Sequence, residues 1–166
     1  MKFRYAILAV AMLFMLMACK QTESDVRGGY SPAIGEHMQM VQFKLPSLTD
    51  NQMLDSKKLE DHVLLVTFFA IWCPPCIQEI PTLIDLQNSY REKGFSVVAF
   101  SLDEGSPEPL HNLIDKYGIT YPVLLADIDV TRGFGGVTGI PVSFLVNRNG
   151  EIVKKYLGYV EHDVLA

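Results

Sequence analysis

The sequence predicts an α/β fold with a mixed central sheet flanked by helices, and three observations carry that prediction. Short apolar runs rich in β-branched and aromatic residues alternate with segments of helical periodicity, which gives parallel strands joined by crossover helices. The last two runs are joined through Asn149-Gly150, a hairpin signal that adds antiparallel strands to the same sheet. Between the first long run and the first long helix stands Trp72-Cys73-Pro74-Pro75-Cys76, two thiols at the point where a buried strand becomes a helix N-terminus.

In chain order, Lys2 and Arg4 precede an uncharged stretch from Tyr5 to Ala18, too short for a comfortable membrane span of about 20 residues and built like a secretory leader. Residues 1–18 are therefore read as a signal peptide. Leu16-Met17-Ala18-Cys19 resembles the lipobox of bacterial lipoprotein precursors, in which the Cys becomes the lipidated first residue of the mature protein; Met17 is an unusual occupant. Lipidation is thus expected at Cys19, with residues 19–33 as a tether whose random-coil reach is roughly 20 Å. The globular domain is placed at 34–166.

Within it, Met38, Met40, Gln42 and Leu45 with the turn signal Thr49-Asp50-Asn51 suggest an N-terminal β-hairpin extension. Asp55 or Ser56 can cap a short helix reaching Glu60. Val63 to Phe69 reads as a fully buried strand. In the helix that follows, Ile77, Ile80, Leu83, Ile84 and Tyr90 share one face, Pro74 suits the first helical position and Gly94 closes the segment. Phe95 to Leu102 is the next strand. Ser106-Pro107-Glu108 opens a helix that Gly118 ends, with Leu110, Leu113, Ile114 and Tyr117 as its apolar face. A short strand at Tyr121–Leu125, a helical turn at Asp127–Phe134, a Gly-rich loop through Ile140-Pro141 and the strands Val142–Val146 and Glu151–Leu157 complete the domain, leaving Val160 to Ala166 for a short final helix.

Composition narrows the function. The formal charge is −5 and the 14 Lys and Arg are scattered, so nothing provides the basic field a nucleic-acid partner needs. Three cysteines occur, Cys19, Cys73 and Cys76; with Cys19 lipidated, one pair remains for redox work and none to cross-link the fold. Helix-terminal N–H groups and the helix dipole favour a Cys73 thiolate, lowering its pKa from the ordinary thiol range, while Cys76 lies one turn in, more buried and within bonding reach. An inert structural disulfide and half of a metal site are the plainer readings of an isolated Cys-x-x-Cys, and the strand before and helix after weigh against both.

Phe69-Ala70-Ile71-Trp72-Cys73-Pro74-Pro75-Cys76 resembles the active-site segment of the thioredoxin superfamily. Pro81, Ile140-Pro141 and the Asn149-Gly150 hairpin fall where that fold has a helix proline, a cis-proline facing the disulfide and a hairpin. With the lipobox, the strand pair before the motif, Glu79 and the Asp103 loop, the chain is most similar to TlpA/ResA-type exported thiol-disulfide oxidoreductases, which include cytochrome c maturation proteins. The resemblance implies a thioredoxin-like fold and catalysis by Cys73 and Cys76, with Pro141 beside them and Trp72 and Ile140 contacting substrate.

One departure concerns the acid that cytoplasmic thioredoxins bury six residues before the first Cys: here Thr67 stands there. Glu79, three residues after Cys76, becomes the candidate for exchanging the proton of Cys76, against the plainer reading of a solvated helix acid. Pro74 and Pro75 supply no N–H and no charge to Cys73, so a reductant is expected rather than a strong oxidant. It would use no cofactor beyond the Cys73–Cys76 disulfide and no metal. Its partners would be oxidised client proteins, with apocytochrome c the class the resemblance suggests, and a membrane-embedded thiol reductase as electron donor. It would sit on the extracytoplasmic face, held to a bacterial membrane by the lipid anchor. The rivals are a copper-binding chaperone using a His with the two thiols, although His37, His62, His111 and His162 have no motif-like spacing to them, and a thiol peroxidase, whose P-x-x-x-T/S-x-x-C pattern is absent.

Overall fold

The computed structural model describes residues 38–165; the expected leader, the lipidation expected at Cys19 and the expected tether lie outside the described residues. A hairpin comes first, β1 (Lys44–Pro46) and β2 (Met53–Asp55), paired antiparallel with Leu45 opposite Leu54. A five-stranded sheet follows: β3 (Val63–Phe69), β4 (Phe95–Ser101), β5 (Val123–Leu125), β6 (Val142–Val146) and β7 (Ile152–Leu157), in the order β5-β4-β3-β6-β7. β3 to β5 run parallel, and β6 and β7 are antiparallel to their neighbours. The helices are α1 (Pro74–Tyr90), α2 (Glu108–Tyr117), α3 (Ile128–Gly133) and a single turn, α4 (His162–Leu165).

β3 is the central strand and its alternation builds two cores. Leu65 and Phe69 join Ile80, Leu83 and Leu86 of α1 and Leu110 and Ile114 of α2 on one face. Leu64, Val66 and Phe68 point to the other, where Phe43, Phe68, Phe100, Phe134 and Phe144 form a cluster of rings with paired centroids 5.0 to 6.4 Å apart. Such offset and edge-to-face pairs each add about 0.5–1.5 kcal/mol beyond burial.

The N-terminal segment ties both sheet edges. Met40 donates its N–H to the carbonyl of Gly150 (2.8 Å), in the turn before β7, and Leu48 donates to Val123 in β5 (2.7 Å). Between these anchors Met40 and Phe43 are buried in the second core. The strand tendency at Met38 and Met40 is thus used on the β7 edge, through the Gln39–Glu151 bridge, and the hairpin proper starts only at Lys44. Close packing fixes this crossing: a Cβ on Gly133 of α3 would lie 2.3 Å from Cβ of Val41.

Local signals act where they were expected or within a few residues of it. Asp55 does cap the next turn, accepting from Lys57 N–H (3.0 Å), but Ser56–Leu59 forms a 3₁₀ helix. Ser106 Oγ accepts from Glu108 N–H (3.3 Å), and α2 begins at Glu108 because both Leu110 and His111 bond back to the carbonyl of Pro107. The β6–β7 turn runs Asn147–Gly150: Asn147 Oδ1 accepts from Asn149 and Glu151 N–H, both at 3.0 Å, and Gly150 alone takes the left-handed φ of 78°. That is a type I turn followed by a bulge at Gly150; a second irregularity lies further along the pair, where the register shifts between Leu145 and Val146.

Candidate active site

Cys73 is the N-cap of α1 and is joined to Cys76 by a disulfide, with Cα atoms 5.3 Å apart. Both are buried, Cys76 (2% exposed) more than Cys73 (5%). The N-terminus of α1 has few donors to offer. Cys73 N–H bonds to Ala70 (3.1 Å), Pro74 and Pro75 have none, and Ile77 N–H bonds to the carbonyl of Cys73 (3.2 Å). Only the N–H of Cys76 is left in the first turn to favour a Cys73 thiolate.

The loop carrying Ile71 and Trp72 is pinned from β4. Asp103 accepts from Ile71 N–H (2.9 Å) and from Ser101 Oγ (2.8 Å) through the same carboxylate oxygen, and Leu102 N–H bonds to Phe69 (2.9 Å). Trp72 projects from this loop and is 67% exposed, with Ile71 half-exposed beside it. The sequence pointed to the Asp103 loop without assigning it this bond, since an acid two residues past a strand end has no fixed target.

Ile140 and Pro141 are joined by a cis peptide bond just before β6. Pro141 accepts from Gly158 N–H (2.8 Å), whereas among the described residues Ile140 has no backbone hydrogen bond. Ile140 packs against both cores, so its main chain is fixed by its neighbours.

Glu79 is not a solvated helix acid. It lies on the inner face of α1, 1% exposed, and its Oε1 accepts from Val160 N–H (3.1 Å). Burial raises its pKa to about 7, and the Val160 hydrogen bond, which favours the charged form, opposes the rise. Thr67, Cys76, Glu79 and Tyr121 meet at a small enclosed cavity otherwise walled by Phe69, Ile80, Leu83 and Ala99. Burial first, and the nearby Glu79 charge second, push the Tyr121 phenol well above its ordinary value. Tyr121 and Val160 were not identified from sequence; they reach Glu79 only through the fold.

The structure therefore brings Cys73, Cys76 and Glu79 together. Trp72 stands on the loop immediately before the pair. His62 lies in the bend before β3, His111 in α2 and His162 in α4, His37 lies outside the described residues, and no three His, Cys, Asp or Glu side chains gather as a metal site among those described. No helix among the described residues is long and apolar enough to cross a membrane.

The Redoxin family matches residues 34–165. The thiol:disulfide interchange protein DsbE of Allochromatium vinosum is 38% identical over 127 residues, 75% of this chain and 68% of that protein. The thiol-disulfide oxidoreductase ResA of Bacillus thuringiensis is 29% identical over 109 residues, 66% of this chain, and the match spans 62% of the length of that relative. Among solved structures, a thioredoxin family thiol:disulfide interchange protein from Chlorobium tepidum superposes with a TM-score of 0.72 at 30% identity, covering 79% of this chain and 92% of that one.

Proposed function

We propose that this chain, which belongs to the Redoxin family as a TlpA/ResA-type member of the thioredoxin superfamily, is a thiol-disulfide oxidoreductase that reduces protein disulfides through Cys73 and Cys76. The observation that carries this reading is the Cys73–Cys76 disulfide at the donor-poor N-terminus of α1. A thiolate with a single free N–H to favour it is stabilised less than one in a strong oxidant, so the reduced pair gives up its electrons readily.

In the reduced form the more accessible Cys73 thiolate attacks one sulfur of a client disulfide; the electron pair of that bond leaves on the client's other sulfur, and Cys73 is left in a mixed disulfide. Cys76 then gives its proton to Glu79 and attacks Cys73. The new Cys73–Cys76 bond forms as the second client thiolate departs. Glu79 fits this proton because its pKa, raised to about 7 by burial, lies near neutral pH. Trp72 offers an exposed aromatic face to the client, and the backbone of Ile140 a place for an extended client segment to pair.

The setting follows from the sequence: export by the leader, a lipid at Cys19, and a tether that keeps the domain near the bilayer. Electrons would come from a membrane-embedded thiol reductase. Oxidised apocytochrome c is the client class we favour, on the likeness to proteins named ResA and DsbE. The test is a trap. A Cys76→Ser variant of the reduced chain should accumulate a mixed disulfide with an oxidised Cys-x-x-Cys-His peptide; no adduct, or release of reduced peptide without one, would refute the reading.

A further inference from the structure

We propose that the cavity between the loop of residues 136–140 and β7 is a client subsite in which Lys155 receives an acidic side chain. Disulfides with an Asp or Glu a few residues from the reacting cysteine are then preferred, a selectivity that rests on the reading of the chain as a protein disulfide reductase given above.

The cavity has a volume of about 200 Å³, enough for one long side chain, and Val137, Thr138, Ile140, Pro141, Lys155 and Leu157 wall it. Lys155 is the one ionisable side chain among the described residues that line it. It is half-buried, and its Nζ stands 5.3 Å from the centroid of the Phe144 ring. Among the described residues no carboxylate pairs with it. Its charge is thus held in place over a ring but not neutralised, which leaves it available to an incoming anion. The chain as a whole carries a formal charge of −5, so a preference for an acidic residue at one place has to come from a local cation and not from the overall field.

The fold puts this cation beside the path of the client. Lys155 pairs opposite Phe144 and Leu157 opposite Val142, and Phe144 and Val142 belong to the second core, so the cavity lies on the α3 face at the end of the sheet where the cis peptide bond stands. Gly158 N–H bonds to the carbonyl of Pro141 (2.8 Å) and ties the end of β7 to that bond. A client segment pairing with the backbone of Ile140 alternates its side chains between the two faces of the sheet. Those on the α1 side meet the cysteines. Those on the α3 side meet Leu157, which is 61% exposed, and then Lys155. Leu157 receives the stem of a Glu or the flank of its neighbour, and Lys155 its carboxylate.

The test uses oxidised peptides with one internal disulfide and a single Glu, Gln or Lys at each position within about four residues of the cysteines, a reach of roughly 13 Å along an extended segment. The reduced full chain acts on each, and kcat/KM is compared at low and at moderate salt. At one position Glu should be preferred to Gln by about fivefold and to Lys by more, with the gap shrinking as salt rises. Lys155→Glu should invert that order at the same position, and Lys155→Met, which keeps the packing over Phe144, should level it. Lys154→Glu makes the same change in net charge one residue away, on the face toward α1, and should keep the wild-type order. Equal rates for Glu, Gln and Lys at every position, or a Lys154→Glu variant that inverts the order as fully as Lys155→Glu, would overturn the subsite. The two readings separate in the wild type: if it reduces every peptide alike, only the subsite fails, and if it reduces none, the reading as a protein disulfide reductase fails and the subsite with it.

Discussion

The two faces of the central sheet are built from alternate residues of the same strand and do different work. On the α3 face, Val66 and Phe68 of β3 sit in an apolar core rich in aromatic rings. On the α1 face, Thr67 and Phe69 of β3 look onto a core that also holds Cys76 and Glu79. One residue along the strand separates a position where packing is the only requirement from one where a hydroxyl faces a carboxyl. The aromatic face keeps the sheet rigid; the other can then carry polar groups whose burial costs stability and tunes their proton affinity.

The largest expected difference between the faces is in activity. Cys73→Ser should abolish disulfide reduction while leaving the thermal transition of the reduced protein nearly unmoved, because the fold rests on packing; an active variant would show that the reacting thiol is elsewhere. Phe68→Ala should do the reverse, lowering unfolding free energy by about 3–5 kcal/mol with the rate of the folded fraction retained. Equilibrium denaturation checks it, and loss of activity ahead of unfolding would mean that the two faces are coupled.

A pH series sharpens the comparison. Glu79 keeps its proton up to about pH 7 when folded and releases it near 4.5 when unfolded, so the folded state binds more protons across that window and stability falls as pH rises through it. The fall should amount to about 3 kcal/mol, and Glu79→Gln should flatten it; a wild-type profile that rises between these values would contradict the burial. The smallest effect belongs to Trp72. Being two-thirds exposed, it should change stability by no more than about 0.5 kcal/mol on mutation to Ala, yet weaken client binding as read by the KM for a protein disulfide.

Sequence reading reached what is local. Val63–Phe69 announced itself by composition, α1 by Pro74 and its apolar spacing, and the β6–β7 hairpin by Asn149-Gly150, although the left-handed residue proved to be Gly150 alone. The Cys pair followed from its place between strand and helix, and Pro141 from likeness to a family. What could not be read is what the fold brings from afar. Val160 meets Glu79 across 81 residues of sequence, and Tyr121, which follows α2 in the chain, lines the same cavity. Thr67 showed only that it cannot replace a buried acid; its unpaired hydroxyl appears once α1 is docked over β3. Whether Glu79 faced solvent or core was open for the same reason, since α1 is apolar along much of its length and its inner face is set by packing.

The central claim is tested most directly by the reduction potential of the Cys73–Cys76 pair, measured by equilibrating the protein with defined ratios of reduced and oxidised dithiothreitol or glutathione. The donor-poor N-terminus of α1 predicts a value of about −250 mV or lower, in the range of reductants. A value near about −120 mV would place the pair with strong oxidants, and would mean that the reduced Cys73 is stabilised by something other than the one backbone N–H left to it.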